Sequence, residues 1–181
     1  MEALGMVELN SISQGIFAAD AILKAANVAI VKASAVCPGK YVVIITGSVA
    51  DVKASIEAGC VASGQNLIDS MIIPRVHEQV ILAMRGAVDL KGVEALGVIE
   101  TFSLAQALLS ADAAVKAADV ALMEIRLGTG LGGKSFVLLT GSVSSARAAV
   151  QAGIQERGND GMITNAVVIP APHEELTEAL Q

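Results

Sequence analysis

Two cysteines, one glycine-rich string and two histidines are the residues of this chain with distinctive chemistry. Cys37 stands in V-C-P-G-K at Val36–Lys40, and Cys60 follows Gly59. A [4Fe–4S] cluster normally takes four thiolates. A chain with two cysteines and no clustered Cys motif cannot hold one alone. The string G-T-G-L-G-G-K-S at Gly128–Ser135 satisfies the phosphate-loop pattern G-x-x-x-x-G-K-S. A working phosphate loop must lead from a strand into a helix, whose N-terminus helps hold the anion. The residues that follow, Phe136–Thr140, read as a strand, so nucleotide binding is rejected. His77 and His173 lack a nucleophile, an acid pair or a second histidine at useful spacing. They read as structural residues at the start of a short helix. No set of nucleophile, base and oxyanion donor can be composed, and the chain is not read as an enzyme.

Composition narrows the remaining classes. The chain has 181 residues, is 54% hydrophobic, and contains no Trp, one Tyr and three Phe. Ala, Val, Ile, Leu and Gly therefore supply the packing, which favours close approach of helices to sheets. The net charge of −6 and the absence of a basic run or aromatic–basic interleaving argue against nucleic acid as a partner. Apolar stretches such as Tyr41–Ile45 and Phe136–Leu139 are strand-sized, far short of the ~20 residues of a membrane span. Met1–Asn10 carries Glu2 and Glu8 without a basic start and does not read as a signal peptide. These features imply a cytosolic protein with reduced thiols and no structural disulfide.

The elements that must position the candidate residues come as a tandem repeat. A-L-G-M-V-E at Ala3 returns as A-L-G-V-I-E at Ala95, and Asp20 and Lys24 return as Asp112 and Lys116, all at an offset of 92. The offset becomes 94 at Gly39-Lys40 and Gly133-Lys134, and 96 at His77-Glu78 and His173-Glu174. About half the positions in the first block are identical. Glu8, Asp20, Glu100 and Asp112 thus recur with the repeat and do not gather in one site. Cys60 corresponds to Ile154, which suggests a small buried residue without a ligand role.

Each half predicts the same order. Ala3–Leu9 reads as a strand, followed by a helix capped by Ser11 or Ser13 and running to about Ala26. Val28–Ala35 and Lys40–Thr46 read as strands about a Pro38-Gly39 turn, and Val49–Ala62 as a second helix. Ser70–Ile73 is a strand halted by Pro74, and His77–Met84 a last short helix. The order is the split β-α-β of ferredoxin-like α/β (α+β) domains. It places one domain at 1–92 and another at 93–181, with Val88–Glu94 as linker. Units of roughly 90 residues have limited interiors, so a chain this apolar is expected to bury surface against copies of itself.

The strings A-L-G-M-V-E at Ala3, A-D-A at Ala19, L-K-A-A-N-V at Leu23 and I-P-R-V-H at Ile73 resemble the shell proteins of bacterial microcompartments. Two fused copies, without circular permutation, resemble the tandem-domain class. The resemblance implies a homotrimer shaped as a pseudohexamer that tiles a shell with other shell proteins. It also implies that the turns between second and third strands line a central hole: Val36, Cys37, Pro38 and Gly39 from one half, and Gly130, Leu131, Gly132 and Gly133 from the other. V-C-P-G-K further resembles the propanediol-utilisation type, whose members carry an iron–sulfur cluster at the axis. The resemblance thus implies one [4Fe–4S] cluster per trimer, ligated by Cys37 from three chains, with encapsulated redox enzymes as further partners. The same three thiolates suit a zinc site less well, and the alternative is a metal-free pore for small metabolites. Lys24 and Lys116 match the family's edge lysine, and Arg75 its edge arginine. Ala171 takes the arginine's place in the second half, which removes half of the expected edge arginines, and Val76 stands for the second proline of the family's P-R-P-H string.

Titration with ATP or GTP in a calorimeter is expected to give no heat. A stoichiometric signal that disappears in Lys134→Ala would overturn the rejection of the phosphate loop.

Overall fold

In the computed structural model, residues 3–86, 92–156 and 161–180 are described. The chain divides into two compact units, Met1–Val76 with Gly128–Gly133, and His77–Leu127 with Lys134–Gln181. The expected linker at 88–94 lies largely outside the described residues. Gly92–Glu94 carry no regular structure before the next strand.

The first unit runs β1 (Ala3–Leu9), α1 (Ile12–Ala25), β2 (Val28–Val36), β3 (Lys40–Gly47), α2 (Val49–Ser63) and β4 (Leu67–Ile73). All pairings are antiparallel and the strand order is β2-β3-β1-β4, so β1 and β3 are central and β2 is an edge. This is the split β-α-β arrangement expected from the sequence. A short 3-10 turn at Gly64–Asn66 delivers the chain to β4. That strand starts three residues before the expected Ser70, because a register shift at Glu8/Leu9 lets Leu67 pair with Leu9.

Serine side chains open the helices as their sequence positions require. Ser11 Oγ accepts the Gln14 N–H at the head of α1, and Ser48 Oγ accepts that of Asp51 at the head of α2. Ala18, Ala19 and Ile22 of α1 and Val52 and Ile56 of α2 meet Val7, Leu9, Val43 and Ile45 of the sheet in one apolar core. Cys60 packs against that core from α2 as a free thiol. Close approach of α2 to the sheet depends on Gly5. A Cβ there would stand 2.6 Å from Ile56 Cγ1 and 2.7 Å from Val52 Cγ1.

The second unit repeats the plan with β5 (Ala95–Thr101), α4 (Leu104–Ala117), β6 (Val120–Leu127), β7 (Ser135–Gly141), α5 (Val143–Gln155), β8 (Ile163–Pro170) and α6 (Glu174–Ala179). Its strand order is β6-β7-β5-β8. It also contains α3 (Glu78–Met84), the helix that closes the first repeat in sequence but packs here against β6 and α4. His77 and His173 are the N-caps of α3 and α6, each accepting through Nδ1 the N–H two residues on, Gln79 and Glu175.

Gly5→Ala is expected to overpack the α2–sheet contact and destabilise the protein by about 1–3 kcal/mol. The urea midpoint measures this, and an unchanged midpoint would show that α2 shifts away freely.

Candidate functional site

The turns singled out by sequence lie together. β2 and β3 end in register at Val36 and Lys40, leaving Cys37-Pro38-Gly39 to reverse the chain. The Gly39 N–H donates to the Val36 carbonyl at 3.1 Å, and Gly39 has φ +83°, which suits a residue without a Cβ. The Cys37–Pro38 peptide is cis. The second turn, Gly128–Gly133, belongs to the same compact unit. The Cys37 N–H donates to the Gly128 carbonyl at 2.9 Å, and Gly133 lies against Pro38. Gly128, Gly130, Gly132 and Gly133 all have positive φ, so the second loop needs its glycines for its backbone path as well as for lack of bulk. Neither turn carries an ionisable side chain apart from the Cys37 thiol.

The lysines that follow each turn are both ion-paired. Lys40 Nζ pairs with Glu8 Oε1 at 2.8 Å, and the Glu8 side chain is 1% exposed. In the second unit Lys134 Nζ pairs with Glu100 Oε1 at 2.9 Å and lies over the Phe102 ring. Each pair ties the first residue of a third strand, or the one before it, to the end of the first strand. Sequence reading noticed that Glu8 and Glu100 recur, as do Lys40 and Lys134. It missed that they are partners. Their joint recurrence in both halves was the available signal. Lys134, the would-be phosphate lysine, is thus engaged, and Ser135 opens strand β7 instead of a helix.

The edge candidates belong to helix ends and to the turn after a strand. Lys24 and Lys116 lie in the last turns of α1 and α4, paired with Asp20 and Asp112 one turn earlier. Arg75 is exposed in the turn after β4, with φ 54°, and its counterpart Ala171 has φ 45°.

The iron–sulfur expectation requires correction. Among the described residues, no three His, Cys, Asp or Glu side chains come together to hold a metal ion. Cys37 is one half-buried thiol in its turn, and the second cysteine, also half-buried, packs against the core of the first unit. One thiolate does not meet the four-ligand demand of such a cluster. The [4Fe–4S] assignment to Cys37, the metal-ligand role, the electron-transfer function and the family subtype defined by a cluster are withdrawn. The encapsulated redox partners rested on that cluster and go with it. Among the described residues no helix is long and apolar enough to cross a membrane.

Comparison with known proteins fits the doubled architecture. The BMC-domain family profile matches twice, over residues 3–76 and 95–172. The chain is 37% identical over 175 residues to the bacterial microcompartment shell protein PduT of Citrobacter freundii, covering 97% of this chain and 95% of that protein. It is 30% identical over 194 residues to the carboxysome assembly protein CcmO of Synechococcus, across 98% of this chain and 68% of the relative. A crystal structure of a microcompartments protein from Desulfitobacterium hafniense superposes with a TM-score of 0.92 at 49% identity, covering 98% of this chain and 99% of the other.

Lys40→Met leaves Glu8 buried and unpaired, which is expected to cost about 3–5 kcal/mol. Lys134→Ala leaves Glu100 where water reaches it and is expected to cost less than about 1 kcal/mol. Urea unfolding of the two variants measures the difference, and equal losses would refute the distinction between the pairs.

Proposed function

This chain belongs to the BMC-domain family, and we propose that it is a structural subunit of a bacterial microcompartment shell, a self-assembling tile with a small metal-free opening. The double match of one domain within one chain carries this reading. Its two halves, 1–92 and 93–181, serve as the two shell domains. Three chains then supply six domains and a hexagonal outline with other shell proteins as neighbours. The strand order common to both units supports that equivalence.

The opening is assigned to Val36, Cys37, Pro38 and Gly39 together with Gly130, Leu131, Gly132 and Gly133. The hydrogen bond from Cys37 N–H to Gly128 supports a shared lining. A surface of glycine backbone, one proline and one thiol passes small metabolites without a fixed charge. The tie of Lys40 to Glu8 and of Lys134 to Glu100 lowers the field that two free lysines would place behind the turns. Lys24, Lys116 and Arg75 are proposed contacts between neighbouring tiles. Fusion lets the two turns differ while the outer edge keeps its repeat, which a ring of six identical single domains cannot do.

Sedimentation equilibrium of the purified chain is expected to give the mass of three chains, and negative-stain images sheets of hexagonal particles. A monomer at all concentrations would overturn the tile. Lys24→Ala with Lys116→Ala is expected to abolish sheets while keeping the three-chain mass, and intact sheets would remove those lysines from the edge.

A further inference from the structure

The ends of the two sheets nearest the turns are built from opposite chemistry. In the first unit Leu9 of β1 pairs with Tyr41 of β3. Leu9 is fully buried, and the Tyr41 ring lies beneath Gly15 of α1, where an added Cβ would stand 2.5 Å from Tyr41 Cδ1. That row is apolar, and its ring needs a glycine above it.

The second unit replaces each of these residues. Thr101 stands for Leu9, Ser135 for Tyr41 and Ala107 for Gly15, and Thr101 pairs with Ser135 in the same register. A phenol ring is exchanged for a hydroxymethyl group, and the methyl gained at Ala107 is far smaller than the ring lost. Ser110 takes the place of Ala18 on the same helix. The exchange removes volume from the interior and adds hydroxyls to it.

Those hydroxyls face the helices. A Cβ added at Gly97 would stand 2.5 Å from Leu139 Cδ1 and 2.9 Å from Val150 Cγ2 of α5, so Leu139 is on the helix side of β7. Strand alternation puts Ser135, four residues earlier, on that side too. A Cβ added at Gly153 of α5 would stand 2.6 Å from Ile99 Cδ1, which places Thr101, two residues on, on the same face. Helix α4 lies against both β5 and β7.

The polar groups are sealed from solvent and incompletely bonded. Thr101, Ser110 and Ser135 are 0% exposed, and Gln106 is 1% exposed. Gln106 Nε2 donates to Ser110 Oγ at 3.0 Å, and Ser110 Oγ donates to the Gly153 carbonyl at 2.8 Å. Thr101 Oγ1 donates to the Ser103 carbonyl at 2.8 Å. Ser135 Oγ and Gln106 Oε1 have no hydrogen-bond partner among the described residues. A sealed polar group without a partner loses its hydration for nothing, and native interiors supply such groups with ordered water.

We propose that the second unit holds internal water between β5, β7 and α4, bonded to Ser135 Oγ and Thr101 Oγ1. The Thr101 hydroxyl already gives its proton to Ser103, so its oxygen accepts from the water. The Ser135 hydroxyl donates to the water oxygen. The second water proton goes to Gln106 Oε1, which makes about three bonds, the usual number for a buried water. Thr101, Gln106 and Ser135 carry no charge, so an ion finds no counter-charge among them. The first turn thus stands on a packed ring, and the second on a hydrated base. This difference within the chain does not depend on assembly.

A crystal structure of the full chain is expected to show a water about 2.8 Å from both hydroxyl oxygens. Oxygen-17 relaxation dispersion reads the same long-lived water in solution. Thr101→Leu with Ala107→Gly and Ser135→Tyr, which copies the first unit, is expected to lose it from both measurements. Thr101→Val with Ser135→Ala is a smaller change that strips both hydroxyls, and an apolar lining stays dry. It should lose the water as well, with circular dichroism unchanged. Density showing Ser135 Oγ bonded to a protein group with no water beside it would overturn the proposal. So would a relaxation signal equal in the parent and in both folded variants.

Discussion

The first helix and the edge strand of each domain form an apolar face that the domain cannot cover by itself. An α+β unit of this size has one layer of helices and one sheet, and the end of the sheet at β2 or β6 has no strand beyond it. Exposed strand edges and apolar helix flanks are unfavourable in water and invite pairing. The second unit solves the problem with α3, a helix contributed by the chain segment that precedes it. In the first unit the corresponding face is open, with Ile30 43% exposed. The same kind of face is thus covered in one unit and open in the other.

Within the chain one such face is covered and its counterpart is open. The charges have diverged accordingly, with Glu124 on the covered side and Lys32 on the open side. A family match alone does not reveal that divergence, since it treats both halves as one domain.

At the turns, electrostatics and backbone geometry act together. Glu8 sits at the end of a central strand with both faces covered, and a buried carboxylate is tolerated there because Lys40 is held beside it. That pairing engages the Lys40 ammonium, just as Glu100 engages that of Lys134. What remains at the turns is neutral backbone, the Cys37 thiol and glycines in left-handed conformation. The chemistry that one thiol can perform in such a place is limited by the absence of companions. The metal reading fails on that point, and the reading of a small neutral opening does not need them.

Much of this was legible in the residues. The repeat, the order of strands and helices, the serine caps, the two turns and the failure of the phosphate-loop string all follow from local pattern, because propensity, turn chemistry and apolar period act over a few residues. The exchange of Cys60 with Ile154 pointed to burial, and Cys60 packs half-buried against the core. The pairing of Glu8 with Lys40, the start of β4 at Leu67 and the placement of α3 with the second unit could not be read that way. They depend on register and on contacts between residues far apart in the chain. The difference between the two halves is the clearest case. Ile30 and Leu122 are both apolar residues in equivalent strands, yet one is open and the other buried. Sequence determined that each half would have an apolar face, and only tertiary structure decided which one is covered, because burial depends on what lies opposite a residue and not on its own type.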